Sequence, residues 1–154
     1  IVKIKYAEGK NEQYIIPLSI ITGEEIAGVK YRHPESLIAN IEIDGSEGLL
    51  YDGSYNDSLR EILFNLIVQK GKIRHKRASL TGVRARKMYQ KVKKSELPLN
   101  SKVLLAEQYN TSILYNNRFF FKLYRSPEEG ANPELEIIKT LTENTNFKNF
   151  PAYE

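Results

Sequence analysis

The feature that most constrains the fold is one amphipathic helix set among short runs that alternate like β-strands. Its apolar residues recur at intervals of three and four, as one buried helix face requires: Leu59, Ile62, Leu63, Leu66 and Ile67. Ser58 and Glu61 have the spacing of a capping box, and Gly71 stands where a left-handed residue ends many helices. The sequence therefore predicts a helix over residues 57–70.

Short strand-like runs precede this helix. Residues 2–6 alternate between apolar and polar, residues 13–21 are rich in β-branched side chains, and the polar turn between the two runs favours a hairpin. Pro17 has no backbone N–H, so it indicates an edge or a bulge in the second run.

Two more strands are predicted at 37–43 and 49–51, joined by the turn Asp44–Ser46. A linker-like segment, Ser95–Asn100, follows the helix and a basic stretch, and it predicts a domain boundary. The first domain, residues 1–94, is therefore expected to be rich in strands with one main helix.

Positive charge is concentrated between Lys70 and Lys94, which contain 11 Lys or Arg and no Asp or Glu, whereas the remaining chain holds 12 basic and 19 acidic residues. Clustered basic residues can bind nucleic-acid phosphates. However, Tyr89 is the only aromatic residue in the stretch, and no nucleic-acid-binding motif is present. We therefore expect no nucleic-acid partner, and anionic ligands or acidic parts of the chain as the contacts of this stretch.

Several classes of protein are excluded by composition. The chain has no cysteine, which excludes a disulfide scaffold and thiolate zinc sites and fits a reducing cytoplasm. No apolar run approaches the roughly 18 residues of a membrane span, so no membrane partner is expected. His33 and His75 are isolated, and we expect no metal ligands in this chain.

The second domain, residues 95–154, is predicted to begin with three strands at 102–107, 111–115 and 118–124. Asn116 and Asn117 join the last two, because asparagine tolerates the positive φ of a tight hairpin turn. Pro133 suits the first turn of a helix, which carries Leu135, Ile137, Ile138 and Leu141. The fold class is α+β.

This order of elements is that of a protein-kinase-like N-lobe, in which a lysine on the third strand contacts ATP phosphates and pairs with a helix glutamate. Lys122 is the candidate lysine, and it points to the same side of its strand as Phe120 and Tyr124. The alternative is an ordinary lysine of an edge strand.

Glu134 and Glu136 are the candidates for the paired carboxylate. At about 100° per residue, Glu134 falls on the apolar face of the helix and Glu136 points away. A carboxylate on that face needs a partner, which favours Glu134. The alternative is an acidic residue favoured at the helix N-terminus by the helix dipole.

The connection between the first two strands contains no glycine, so the glycine-rich signature of protein kinases is absent. Asn110, Thr111 and Ser112 offer hydrogen-bond donors that could replace it over the phosphates.

These residues also carry a resemblance to a known family. Residues 106–112 (AEQYNTS) resemble the AEQSNTS segment of maltokinases. Lys122–Arg125 (KLYR), Gly130 and Asn132–Glu136 (NPELE) resemble a second conserved segment, and Gln13–Leu18 looks like the YLLPL strand near the start of these enzymes. Tyr109 replaces a residue that is usually small and polar.

The resemblance implies an amino-terminal cap domain followed by the start of a kinase N-lobe, with the catalytic C-lobe absent. Maltokinases transfer the γ-phosphate of ATP to maltose, giving maltose 1-phosphate, with Mg²⁺. The catalytic aspartate and magnesium ligands then lie beyond residue 154, so the fragment alone is expected to be inactive. Because the chain opens without methionine inside a strand pattern, we expect it to be cut from a longer protein.

Two alternatives to maltose phosphorylation stay open at this point. One is a kinase that acts on another small-molecule acceptor. The other is a non-catalytic cap or docking module of a trehalose synthase fusion, since a fused or associated trehalose synthase is a further candidate partner. Either protein is expected in the cytoplasm.

Overall fold

The structure, a computed structural model, describes residues 1–76, 78–84, 92–105, 109–128, 130–147, 149, 151 and 153. Within these residues the fold is mixed α/β with antiparallel sheets. The strands are β1 Val2–Ile4, β2 Glu12–Tyr14, β3 Leu18–Thr22, β4 Leu37–Ile43, β5 Ser46–Asp52, β6 Lys72–His75, β7 Ala78–Thr81, β8 Ser101–Leu104, β9 Asn110–Tyr115 and β10 Phe119–Tyr124. The helices are α1 Glu25–Arg32, α2 Asp57–Val68 and α3 Pro133–Asn144.

Each described sheet is small. Two are the hairpins β1–β2 and β6–β7, and two have three strands in the spatial orders β3-β5-β4 and β10-β9-β8. The residues group into two compact units: Ile1–Ile62 with Leu99–Pro127, and Leu63–Pro98 with Glu128–Glu154. The division into domains at residues 94 and 95 stays a prediction.

The main core cluster of the first unit lies between α1 and one face of β3-β5-β4. Ile26 and Val29 of the helix are buried with Leu49 and Tyr51 of β5. This helix was not expected, because only two apolar side chains, at i and i+3, mark its buried face. The sheet beneath it stabilises the helix more than its own sequence does.

The N-terminal hairpin is confirmed, since β1 pairs antiparallel with β2. The run predicted over 13–21 is divided into β2 and β3 around Pro17, which cannot donate a ladder hydrogen bond. The β4–β5 hairpin is confirmed as well, and Asp44 and Gly45 in its turn have positive φ values of 51° and 77°.

Helix α2 confirms the predicted helix but corrects both of its caps. The N–H of Leu59 donates to Asn56 Oδ1 at 3.1 Å, so Asn56 is the capping residue rather than Ser58. At the other end, Lys70 has a φ of 51° and takes the left-handed position that was predicted for Gly71.

Gly71 takes part in the C-terminal cap of α2 through its backbone. Its N–H donates to the carbonyl of Leu66 at 2.8 Å, while Lys70 donates to Ile67 at 3.1 Å, which together make a Schellman motif. A Cβ on Gly71 would lie 2.9 Å from Leu66 Cδ1. That atom is the end of a flexible side chain, so a small shift of Leu66 would accommodate a larger residue at position 71.

The sheet β8–β9–β10 has the predicted strand order. Its buried side chains are the hydrophobic Ile113, Tyr115 and Phe119 and the polar Thr111 and Ser112. Asn116 and Asn117 both have positive φ, as predicted. The connection is one residue longer than expected, because Tyr115 pairs with Phe119 and Arg118 lies between the strands.

Helix α3 begins at Pro133, as predicted. Ile138 and Leu141 are half-buried, but Ile137 is 59% exposed, so it does not belong to the covered face. None of the helices in the described ranges combines the length and apolar character needed to cross a bilayer.

Candidate functional site

Lys122 lies in β10, the last strand of the sheet β8–β9–β10 in chain order. Its half-buried side chain stands on the same sheet face as Phe120 and Tyr124. Its Nζ lies 5.4 Å from the centre of the Tyr124 ring, a cation–π contact that restrains a flexible side chain. Its neighbour across the ladder is Ser112 of β9. The sheet therefore places one ammonium group beside an aromatic ring and a serine.

Asn110, Thr111 and Ser112 are the first three residues of β9, not part of the connection before it. Because side chains alternate along a strand, Asn110 and Ser112 lie on the face of Lys122, and Thr111 lies on the opposite face. The expectation that the three residues lie in one loop was therefore wrong, because they lie in a strand and on both of its faces. Their contact with phosphate stays a prediction. Gln108, in the predicted loop, lies outside the described residues.

The hydroxyl of Thr111 is already engaged inside the first unit. Its Oγ1 accepts hydrogen bonds from Nε and Nη2 of Arg125 at 2.9 and 2.6 Å. The residue is 9% exposed. Ser112 is more buried still, at 1% exposed, so the half-buried Asn110 is the best placed of the three for a ligand that Lys122 contacts.

Glu134 lies in the first turn of α3, in the second unit. The side chain of Asn132 caps this helix, since its Oδ1 accepts the N–H of Leu135 at 3.1 Å. Glu134 is exposed and lies four residues before the half-buried Ile138, so the two share a face. Glu136, also exposed, lies on another side of the helix. The pairing of Glu134 with the lysine of β10 stays a prediction.

A polar cluster that the sequence did not reveal surrounds Arg125, directly after β10. Its Nη2 lies 2.5 Å from Oδ2 of Asp52 and 3.1 Å from Oγ of Ser54. The backbone of Ile15 donates to the carbonyl of Arg125 at 2.7 Å. This cluster joins the end of β5 to the sheet β8–β9–β10 within the first unit. Its residues are far apart in sequence, so local sequence patterns could not predict their contacts.

A second cluster surrounds Arg60 of α2, which is 5% exposed. Its Nε donates to Ser101 Oγ at 2.8 Å, and its Nη1 donates to the carbonyl of Ser54 at 2.9 Å. Asp57, one turn earlier, forms its ion pair. Arg60 therefore links the start of α2 to the first residue of β8. A charged side chain can be buried here because the ion pair and the hydrogen bonds satisfy its guanidinium group.

Tyr115 completes this second cluster. Its hydroxyl donates to the carbonyl of Arg60 at 2.8 Å. Burial raises the pKa of the Tyr115 hydroxyl far above its ordinary value, and the nearby positive charge of Arg60 opposes this only in part. The hydroxyl is a fixed donor in the core, not an acid–base group.

The hairpin β1–β2 carries an exposed group of two phenols on one carboxylate. Tyr14 and Tyr6 donate to Glu12 Oε2 at 2.7 and 2.9 Å. The hydrogen bond from Tyr14, followed by that from Tyr6, lowers the pKa of Glu12, and the same bonds raise the pKa of both phenols.

An open cleft of about 290 Å³ lies at the end of the sheet where β8 begins and β9 turns into β10. Its lining is mostly polar: Asn100, Ser101, Lys102, Leu114, Asn116 and Asn117. The ladder places Lys122 toward the opposite end of the sheet, beside Ser112 and Leu104. This cleft is therefore separate from the candidate phosphate-binding residues.

Acidic and histidine side chains in the described part of the chain form no group of three that could hold a metal ion. No protein-family model matches the chain.

Proposed function

We propose that this chain is part of an ATP-dependent maltose kinase that forms maltose 1-phosphate. In this proposal it supplies an amino-terminal cap and the start of a kinase-like N-lobe. The catalytic aspartate and the magnesium ligands belong to the remainder of the enzyme, and the chain alone transfers no phosphate. The AEQYNTS, KLYR and NPELE segments support maltose as the acceptor, since they resemble those of maltokinases.

The observation that carries the proposal is the position of Lys122 in the sheet. Three antiparallel strands run in the order expected of an N-lobe, the third bears the lysine, and a capped helix with an early glutamate follows. The restraint of the ammonium group by the Tyr124 ring also supports this role. A lysine held in place loses less entropy when it binds phosphate.

The side chains on this sheet face have the chemistry that a nucleotide requires. Lys122 supplies a positive charge for phosphate oxygens, and the half-buried Asn110 supplies a neutral hydrogen-bond donor. The Phe120 ring is 53% exposed on the same face and offers an apolar surface. ATP, when bound, supplies the phosphoryl group that the anomeric hydroxyl of maltose accepts. The residues of this chain bind and orient the nucleotide.

The binding role can be tested with a fluorescent ATP analogue and two matched lysine variants. Lys122→Ala should weaken binding by about tenfold or more, because a charge-assisted contact is lost. Lys102→Ala removes a lysine from the same face of the same sheet, at its far end, and should leave binding nearly unchanged. Equal affinities for the two variants would refute the assignment of Lys122.

The choice of acceptor needs the full-length protein that contains this chain. ADP release should be measured with maltose, glucose and trehalose as separate acceptors. We expect release with maltose. Consumption of ATP with another acceptor alone would retain the kinase and reject maltose. If Lys122→Ala loses activity while its thermal stability is retained, the lysine that binds the ATP analogue is also the one that the reaction requires.

A further inference from the structure

The hairpin β6–β7, Lys72–His75 with Ala78–Thr81, is firmly attached to the end of α2 within the second unit. At its base, the N–H of Gly82 donates to the carbonyl of Gly71 at 2.9 Å. A Cβ on Gly82 would lie 1.9 Å from the carbonyl oxygen of Leu66, so the hairpin backbone presses directly on the helix. Arg84 Nη1 donates to the carbonyl of Val68 at 2.5 Å. These contacts hold the base of the hairpin, while every residue of its two strands is exposed.

The first strand of this hairpin and the residues on either side of it are strongly basic. Lys70, Lys72, Arg74 and Lys76 are all exposed, and none makes an ion pair with another described residue. No Asp or Glu occurs between residues 70 and 84. Four cations within one exposed segment repel one another, and a negatively charged partner removes that repulsion.

The hydrogen-bond register shows which backbone groups this strand leaves open. In an antiparallel pair, hydrogen-bonded and non-hydrogen-bonded residue pairs alternate. Because Gly71 and Gly82 form a hydrogen-bonded pair, Ile73 with Leu80 forms the next one, and the pairs Lys72–Thr81 and Arg74–Ser79 are the non-hydrogen-bonded type. The N–H and C=O groups of Lys72 and Arg74 therefore point outward, away from β7.

The two faces of the hairpin differ in chemistry. Lys72 and Arg74 stand on one face, and Ile73 stands on the other beside Leu80. Ile73 and Leu80 are 49% and 48% exposed. A strand that added to β6 would find positive charge on one side and aliphatic surface on the other.

We propose that the outer edge of β6 binds an extended acidic protein segment, in which Asp or Glu alternates with aliphatic residues, as an added strand. The backbone of the segment would bond to the outward groups of Lys72 and Arg74. Its carboxylates would stand directly opposite those two side chains, and cross-strand pairs of opposite charge are favourable. Its aliphatic residues would cover Ile73. Backbone pairing supplies affinity in such complexes, and alternate side chains supply specificity.

A nucleic acid is the less suitable partner. The hairpin strands contain no Phe, Tyr or Trp on which a base could stack. The exposed aliphatic face also has no counterpart on a phosphate backbone. Open edge strands that carry a basic face and an apolar face match an amphipathic strand of opposite charge.

The test uses the whole chain and a labelled peptide of alternating Glu and Val, with binding followed by fluorescence anisotropy. A peptide of the same composition, with the Glu and Val residues in two separate blocks, is the control for charge alone. We expect the alternating peptide to bind at low salt and the block peptide to bind at least about fivefold more weakly, since it cannot present both faces in register. Failure of the alternating peptide to bind at low salt overturns the proposal.

Two pairs of variants separate strand addition from simple charge attraction. Lys72→Glu with Arg74→Glu should weaken binding by about tenfold, whereas Lys3→Glu with Lys10→Glu makes the same change in net charge elsewhere and should have little effect. Arg74→Ala removes one charge. Arg74→Pro removes that charge together with an outward N–H, and should weaken binding about two- to tenfold further.

Hydrogen exchange at the amides of Ile73 and Leu80 verifies that the hairpin is intact in the proline variant, because these amides bond within it. If Arg74→Pro and Arg74→Ala bind equally while those amides stay protected, strand addition is refuted. Tighter binding of an unrelated duplex DNA than of the alternating peptide would also overturn the proposal and assign the surface to nucleic acid.

Discussion

Arg125 and Asp52 are 73 positions apart in sequence, yet Nη2 of Arg125 lies 2.5 Å from Oδ2 of Asp52. The two side chains are 15% and 19% exposed. Thr111 and Ser54 bond to the same guanidinium group. Together these contacts connect the end of β5 to the start of β9 and the end of β10, and they stabilise the arrangement of the two larger sheets in the first unit.

Removal of this charge pair should destabilise the fold. We expect Asp52→Asn to lower the free energy of unfolding by about 2–3 kcal/mol, because a largely desolvated guanidinium loses its carboxylate. Glu47→Gln is the matched control. It removes the acid of the exposed pair Lys30–Glu47, with an N–O distance of 3.7 Å, and should lower the free energy of unfolding by less than about 1 kcal/mol. Urea unfolding measures both, and similar losses would contradict the structural role of Asp52.

Gly82→Ala should loosen the attachment of the β6–β7 hairpin. The new methyl group cannot fit 1.9 Å from the Leu66 carbonyl oxygen, and backbone cannot move aside as a side chain can. We expect a loss of about 3 kcal/mol or more in the free energy of unfolding.

Gly28→Ala provides the comparison for this substitution. Gly28 lies inside α1, and its new Cβ would meet only Arg32 Nη2, at 3.5 Å. The same chemical change should here raise the free energy of unfolding by roughly 0.5–1 kcal/mol, because alanine favours helix more than glycine does. Thermal unfolding distinguishes the two variants, and a stable Gly82→Ala protein would contradict the close contact.

Alanine substitution is expected to affect stability differently at the two candidate caps of α2. Asn56→Ala removes the acceptor of the Leu59 N–H and also the donor to the Tyr51 hydroxyl. It should cost about 1–2 kcal/mol of stability. Ser58→Ala, at the position favoured by the capping-box pattern, should change stability by less than about 0.5 kcal/mol. Chemical unfolding curves decide between them, and a larger loss for Ser58→Ala would restore the sequence-based assignment.

The lowered pKa of Glu12 makes the β1–β2 hairpin sensitive to acid. A carboxylate that is hydrogen-bonded in the folded state stabilises that state at pH values above the ordinary glutamate pKa of about 4.3. This contribution is lost as the pH falls through the lowered value in the folded state. Tyr14→Phe should raise the pKa of Glu12 more than Tyr6→Phe does, because Tyr14 makes the shorter bond.

An NMR titration of the Glu12 carboxyl carbon measures these shifts. Tyr31→Phe is the control, since Tyr31 is 88% exposed and lies in α1. Unchanged titration of Glu12 after loss of the Tyr14 hydroxyl would show that the phenols do not hold this carboxylate.

The choice between Glu134 and Glu136 can be tested in the full-length protein. Under the proposed kinase function, Glu134→Gln should lower kcat/KM for ATP by about tenfold to a hundredfold, because the lysine of β10 loses the group that positions it. Glu136→Gln changes the same residue type two positions along α3 and should have little effect. A larger loss for Glu136→Gln would assign the partner role to that residue.

Local patterns in the sequence predicted much of the secondary structure correctly. The apolar spacing of Leu59 to Ile67 predicted α2, and Pro133 predicted the start of α3. Asn116 and Asn117 predicted the turn between β9 and β10. Each of these signals acts within a few residues, so each can be read without the rest of the chain.

Other features depended on neighbours that are distant in sequence. Helix α1 has a weak pattern of its own and forms against Leu49 and Tyr51. The hydroxyl of Thr111 is engaged by Arg125, and its expected contact with phosphate stays a prediction. Nothing next to Thr111 in sequence signals the bond to Arg125, because that contact exists only once β9 and β10 have paired.

The sequence by itself therefore determined where most helices, strands and turns lie. Only the tertiary structure decided which polar groups bond to one another, as in the pair Arg125–Asp52. Hydrogen bonds and ion pairs between separate elements need distances of about 3 Å, and no pattern of residue types along the chain specifies such distances.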